Sequence, residues 1–329
     1  MIEFLLGPLP DWAKEGHPFL RYELRARRPR RRVLFWLGIC MAILVLGAIG
    51  FLTATQFLAE PLSPNLTESA NRLLYAPAFI LQIIIILATY SLTSGAIGEA
   101  VRRQQWDSLR ATELGAGLAI RTRWAAAFYR LRPLLIAVTL IRLVLIVGIL
   151  WDLTAFQGEY LDLLISGIIP QMSIPITPDL DLGLAASILL LAFMLTAGLL
   201  LPFTGLAFDA ALGLLVSSFF RQRAYSVLAL VLLVIVRFSV MAAFSYGFYI
   251  FINGSLTLPD SSAFALMVGF GGLGDWGLRF LHLSVFGEIW AIVPFGIFLG
   301  LSLLLFALFQ AVLARALLAW TIRRAQNRG

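Results

Sequence analysis

The sequence is poor in the residues that carry most enzyme chemistry. Its 329 residues include one cysteine, Cys40, and two histidines, His17 and His282, far apart in the chain. One cysteine excludes an intrachain disulfide and a cysteine-built metal cage, and two distant histidines leave little for a zinc site. Lysine is nearly absent: Lys14 stands alone among 25 basic residues. It sits in Ala13-Lys14-Glu15-Gly16, so no G-x-x-x-x-G-K-[ST] run exists and the chain has no phosphate-binding loop of that kind. The glycine-rich stretch Gly271–Gly277 has no following lysine and reads as a tight turn. No Ser/His/Asp or Glu/His cluster points to hydrolysis. Charge is scarce too: 13% of residues are charged, against about 25% in a soluble domain.

Apolar residues fill the space. They make up 60% of the chain, and the mean hydropathy is +0.91. One globular core cannot hide that much apolar surface, which excludes a water-soluble enzyme and leaves an all-α polytopic membrane protein. About 20 apolar residues cross a bilayer core. On that measure the sequence predicts six transmembrane helices: Val33–Leu58, Leu73–Ile97, Pro133–Trp151, Gly183–Phe220, Ala224–Ile252 and Phe286–Trp320. The fourth is too long for one perpendicular helix and carries Pro202, where a kink is expected. The implied organisation is a cytoplasmic segment 1–32, a six-span domain 33–320 and a cytoplasmic tail 321–329. The six-span domain has an inner loop 98–132 and outer loops 59–72, 152–182 and 253–285.

The arginines set the orientation. Every basic residue except Arg72, Arg142, Arg237 and Arg279 falls in segment 1–32, loop 98–132, the turn around Arg221 and Arg223, or the C-terminal end from Arg315 on, where the long sixth span projects from the bilayer. By the positive-inside rule both termini are cytoplasmic. The net charge of +7 is then a topology and lipid-headgroup signal, not a nucleic-acid footprint. Arginine in place of lysine, and phenylalanine far above tyrosine, suggest a high-GC bacterial source. On the opposite face, residues 152–182 lack Lys and Arg. There Leu161, Leu164, Ile165 and Ile168 have the spacing of a short surface helix. Segment 253–285 is apolar enough to re-enter the membrane, where irregular backbone is tolerated only when packed in protein.

Arg142, Asp209 and Arg237 fall inside spans, where charges are expensive. Asp209 and Arg237 lie at depths that differ by roughly one helical turn, so an ion pair between the fourth and fifth spans is expected. Such a pair can serve packing alone or line a substrate path. Arg142 has no partner in the sequence pattern, and is expected to face a polar cavity or a lipid phosphate.

Loop 98–132 carries the clearest functional signal. Residues 104–115 read as a short amphipathic helix bearing Trp106 and Leu109, with Gly115 and Gly117 ending it. It either lies on the headgroups or docks a cytosolic partner. The run from Gln105 to Leu114 (QWDSLRATEL) resembles the T-W-D-x-L-x-x-T-P-L segment of permease subunits of ABC transporters of the type-2 exporter class. Trp106, Asp107, Leu109, Thr112 and Leu114 match; Gln105 and Glu113 depart. His17–Arg31 is similar to that family's N-P-x-x-x-R-E-L-R start, with Pro18, Glu23, Leu24 and Arg25 matching and His17 and Tyr22 departing. Pro18 suits a first helical turn, and Glu23 precedes Arg27 by four. Leu212–Leu228 resembles the family's turn between spans four and five.

The resemblance implies a permease subunit in a bacterial cytoplasmic (inner) membrane. It would pair with a second permease subunit, the same or homologous, and with two copies of a cytosolic ABC ATPase subunit. The chain itself holds no cofactor and no metal; ATP and Mg are bound by the partner. Arg103, Trp106, Asp107, Leu109, Arg110, Thr112 and Glu113 would couple it to the ATPase. An N-terminal interfacial helix would include Glu23, Arg25 and Arg28. The alternative is a membrane-embedded structural or accessory subunit of permease-like fold that anchors a larger complex.

Overall fold

The structure, a computed structural model, describes residues 10–14, 16–26, 66–93, 115–155, 180–220, 222–282 and 296–327, with 285, 289 and 293 between the last two. The described chain is helical, with no strand among these residues. A 3-10 turn, Asp11–Ala13, leads into α1 (Pro18–Ala26); then come α2 (Leu66–Thr93), α3 (Gly115–Ala155), α4 (Leu180–Phe219), α5 (Arg223–Ile252), α6 (Asp260–Gly269) and α7 (Leu299–Asn327). A π-helical turn, Phe270–Gly274, extends α6, and a 3-10 turn, Gly296–Phe298, precedes α7.

Among the described residues five helices are long and apolar enough to cross a membrane: Leu73–Thr93, Gly117–Trp151, Ile188–Phe219, Tyr225–Ile252 and Leu299–Gln326. The expected first span, Val33–Leu58, lies outside the described residues, as do the coupling residues Arg103 to Glu113, Arg28 and the outer segment around Leu161–Ile168.

The start of the third span differs from the sequence expectation. The third span was expected to begin at Pro133, after a loop whose helix stops at Gly115. Gly115 and Gly117 instead lie within α3, which runs unbroken through Pro133. Residues 115–132 are rich in Ala, Leu and Arg, all strong helix formers. They also find partners: Ile120 packs with Leu214 of α4 and Ala325 of α7, and Ala125 and Ala126 pack on Leu20 of α1. At about 1.5 Å per residue the 41 residues of α3 extend well beyond a hydrocarbon core of about 30 Å. The expected start of the sixth span, Phe286, lies outside the described residues; the helix described there is α7, from Leu299, after the 3-10 turn Gly296–Phe298.

Packing fixes the topology. At one end the start of α3 meets the ends of α4 and α7 through Ile120, Leu214 and Ala325. At the other, the start of α2 (Ala78) meets the end of α3 (Leu145, Ile149) together with Leu278 and Leu281. Helix α3 is therefore antiparallel to α2, α4 and α7. Between the ends lies a continuous core that includes Ile85, Tyr90, Leu135, Met194, Leu201, Trp276 and Leu303. Helix α5 stands at the margin. Its outward residues Leu228, Leu232 and Ile235 are more than half exposed, as suits a helix facing lipid. It is tied to the bundle through Phe248, which stacks on Phe270 at 4.1 Å and meets Phe280 edge-on.

Candidate functional site: a hairpin held by two buried arginines

Residues 260–282 enter the bundle and turn inside it. After α6 the backbone widens into the π turn, whose Phe270, Gly271, Gly272 and Gly274 are buried. Asp275 then organises the reversal. Its Oδ1 accepts from the Gly277 N–H at 2.9 Å and its Oδ2 from the Arg279 N–H at 2.6 Å. Those bonds hold Trp276 at φ 55° and Gly277 at φ 73°. Glycine tolerates the left-handed region, whereas a tryptophan there is strained and has to be held. The Trp276 ring is fully buried and packs against Gly205 of α4, where an added Cβ would come within 2.8 Å of it.

A hairpin of this kind leaves carbonyls without helical donors, in a medium that supplies none. Two arginines provide them. Arg142, on α3, has no exposed surface. Its Nη1 donates to the Trp276 carbonyl at 2.8 Å and its Nη2 to the Asp275 carbonyl at 3.4 Å. Nη1 also donates to the Gly198 carbonyl of α4. That carbonyl stands four residues before Pro202, which has no N–H to offer it. The expectation that Arg142 faces a cavity or a lipid phosphate is thus overturned. Backbone oxygens of α4 and of the hairpin accept from its guanidinium.

Arg237, on α5, serves the other side of the hairpin. Its Nη1 donates to the Leu273 carbonyl at 2.8 Å, and its Nε lies 3.6 Å from Asp209 Oδ1. The same oxygen accepts from the Tyr90 hydroxyl at 2.7 Å. Asp209 and Arg237 are both buried. Their pairing joins α2, α4, α5 and the hairpin in one polar cluster within the apolar core.

A third polar contact lies toward the start of α3. Glu23 Oε1 of α1 meets Arg123 Nε at 2.8 Å, with both side chains largely buried. Arg130 Nη2 donates to the Glu23 carbonyl at 2.6 Å, and the Tyr129 hydroxyl to the Ala13 carbonyl at 2.7 Å. Leu20 is completely buried against Ala125 and Ala126. Helix α1 is therefore bound to α3. Arg25 belongs to α1 by its backbone, with its side chain outside the described set.

Sequence reasoning missed Tyr90, Asp275, Trp276 and the acceptor at Gly198. A proline inside a span does carry a signal, since it marks the carbonyl four residues earlier as needing an outside donor. The single acidic residue in the glycine-rich turn also identifies the side chain able to cap it.

Comparison of the chain with models of known protein families, with curated proteins and with solved structures finds no match. Among the described residues no group of three or more His, Cys, Asp or Glu side chains could hold a metal ion.

Proposed function

We propose that the chain is the transmembrane permease subunit of an ATP-driven ABC exporter. In this reading it lies in a bacterial cytoplasmic membrane with both termini inside, next to a second permease subunit. Cytosolic ATPase subunits bind the ATP and Mg. The three sequence resemblances, in their expected order, support it. The observation that carries it is the continuity of α3. Its described residues start at Gly115, two after Glu113, where the proposed coupling segment ends. It then passes Arg123, which holds α1, and reaches Arg142, which holds the hairpin.

From Arg123 to Arg142 the rise is roughly 28 Å at 1.5 Å per residue. A continuous helix passes an axial displacement on to whatever is bound farther along it, and α3 stays helical through Pro133, where one ladder bond is absent. ATP-driven movement of the ATPase pair would shift the coupling segment. Helices α1 and α3 would move as one lever, and Arg142 would carry the carbonyls of Gly198, Asp275 and Trp276 with it. The spans around the hairpin would then rearrange to expel substrate. No bond is made or broken by this subunit.

One observation favours the accessory-subunit reading. Arg142 and Arg237 both spend their donors on backbone carbonyls of the hairpin, which is a structural use of charge. Purification of the tagged full chain from its native membrane, with mild crosslinking, separates the two. A P-loop ATPase that co-purifies in fixed ratio and is lost on Trp106→Ala is the expected result. A stable complex without an ATPase overturns the transport reading.

A further inference from the structure

Two polar atoms in the core, one packed against Gly205 of α4 and one carried by Asp209 a turn later, take part in none of the contacts above. The Trp276 indole Nε1 is a donor, and Asp209 Oδ2 is an acceptor; both are buried and have no hydrogen-bond partner among the described residues. Nε1 sits 2.8 Å from where a Gly205 Cβ would be. Asp209 follows Gly205 by one turn on the same ridge of α4, and neighbouring positions on such a ridge are about 5–6 Å apart. Side chains on a helix lean toward its N-terminus, which tilts the Asp209 carboxylate toward the turn that the indole covers. Two hydrogen bonds in series, each of about 2.8–3.0 Å, span a gap of this size.

The pair also selects chemically. The occupant must accept a hydrogen bond from the indole and donate one to the carboxylate. A bare cation offers nothing to the N–H and meets Arg237 beside Asp209. An anion is repelled by the carboxylate. A hydroxyl is the smallest group that does both. We propose that Asp209 Oδ2 and Trp276 Nε1 form a binding site for a single hydroxyl group, supplied by an ordered water or by an alcohol-bearing solute. The site uses only α4 and the hairpin, so it does not depend on an ATPase partner.

The test is NMR of the full chain in detergent with 15N-labelled tryptophan indoles, the Trp276 signal being identified by its loss in Trp276→Phe. If water is the source, the Trp276 indole proton shows a cross-peak at the water frequency that persists in glycerol-free buffer. If a solute hydroxyl is the source, titration with glycerol or sorbitol moves the Trp276 signal and saturates, leaving the other indoles in place. In either case Asp209→Asn shifts the Trp276 signal. An indole proton with neither a water cross-peak nor a saturable polyol response overturns the proposal. The wild-type spectra alone decide this, whether or not Asp209→Asn folds.

Discussion

Arg142 gives the Gly198 carbonyl the hydrogen bond that Pro202 cannot give. The proline opens the ladder of α4, and an arginine from α3 closes it from outside. The same guanidinium then reaches the hairpin. One charge thus repairs a helix and anchors a turn.

That relationship predicts coupling between the two positions. Arg142→Met strips donors from buried carbonyls, and each unsatisfied buried group costs about 1–3 kcal/mol. Pro202→Ala restores an N–H to Gly198, so part of the loss should be recovered in Arg142→Met/Pro202→Ala. Thermal unfolding in detergent of the two single variants and the double measures this. Strictly additive losses would show that Arg142 does nothing for Gly198.

Asp209 and Arg237 should behave as a pair. Removing one partner of a buried ion pair costs about 3–5 kcal/mol, because the other charge is left uncompensated. Asp209→Ala and Arg237→Ala are each expected to lower the unfolding temperature strongly, and the double variant to regain much of it. Recovery will be incomplete, since Leu273 loses its donor. Tyr90→Phe should be milder, about 1–3 kcal/mol. A double variant as poor as the sum of the singles rules out the interaction.

The contact between Glu23 and Arg123 makes a separate prediction about attachment. Its side chains are mostly but not wholly buried, at 16% and 8% exposed, so the expected coupling is about 1 kcal/mol. Glu23→Ala should release α1 and expose the segment around Leu20 to limited proteolysis. The charge swap Glu23→Arg with Arg123→Glu should protect it again. If Glu23→Ala is cleaved no faster than the parent, Leu20 and the backbone bonds hold α1 without the ion pair.

Gln82 offers a gain of stability. Its amide is buried in α2, and neither Nε2 nor Oε1 has a hydrogen-bond partner among the described residues. Gln82→Leu removes an unsatisfied polar group at similar volume, and should raise stability by about 1–3 kcal/mol. A lower unfolding temperature would mean that the amide is satisfied in the membrane.

The membrane character, the all-helical class and the positions of α2, α4 and α5 to within a few residues follow from the sequence alone. A run of apolar residues long enough to cross a bilayer has one cheap way to satisfy its backbone, and that is a helix. Asp209 and Arg237 could be matched in advance because depth along a span is a one-dimensional quantity. The rest needed the third dimension. Nothing local distinguishes a glycine that ends a helix from one that a helix carries, and for Gly115 the packing of Ile120 and Ala125 decides. Arg142 looked alone because its acceptors are backbone carbonyls, which every residue has and no sequence pattern marks. They become acceptors for Arg142 only when Pro202 frees one, Asp275 turns the chain to present two more, and α3 packs beside both.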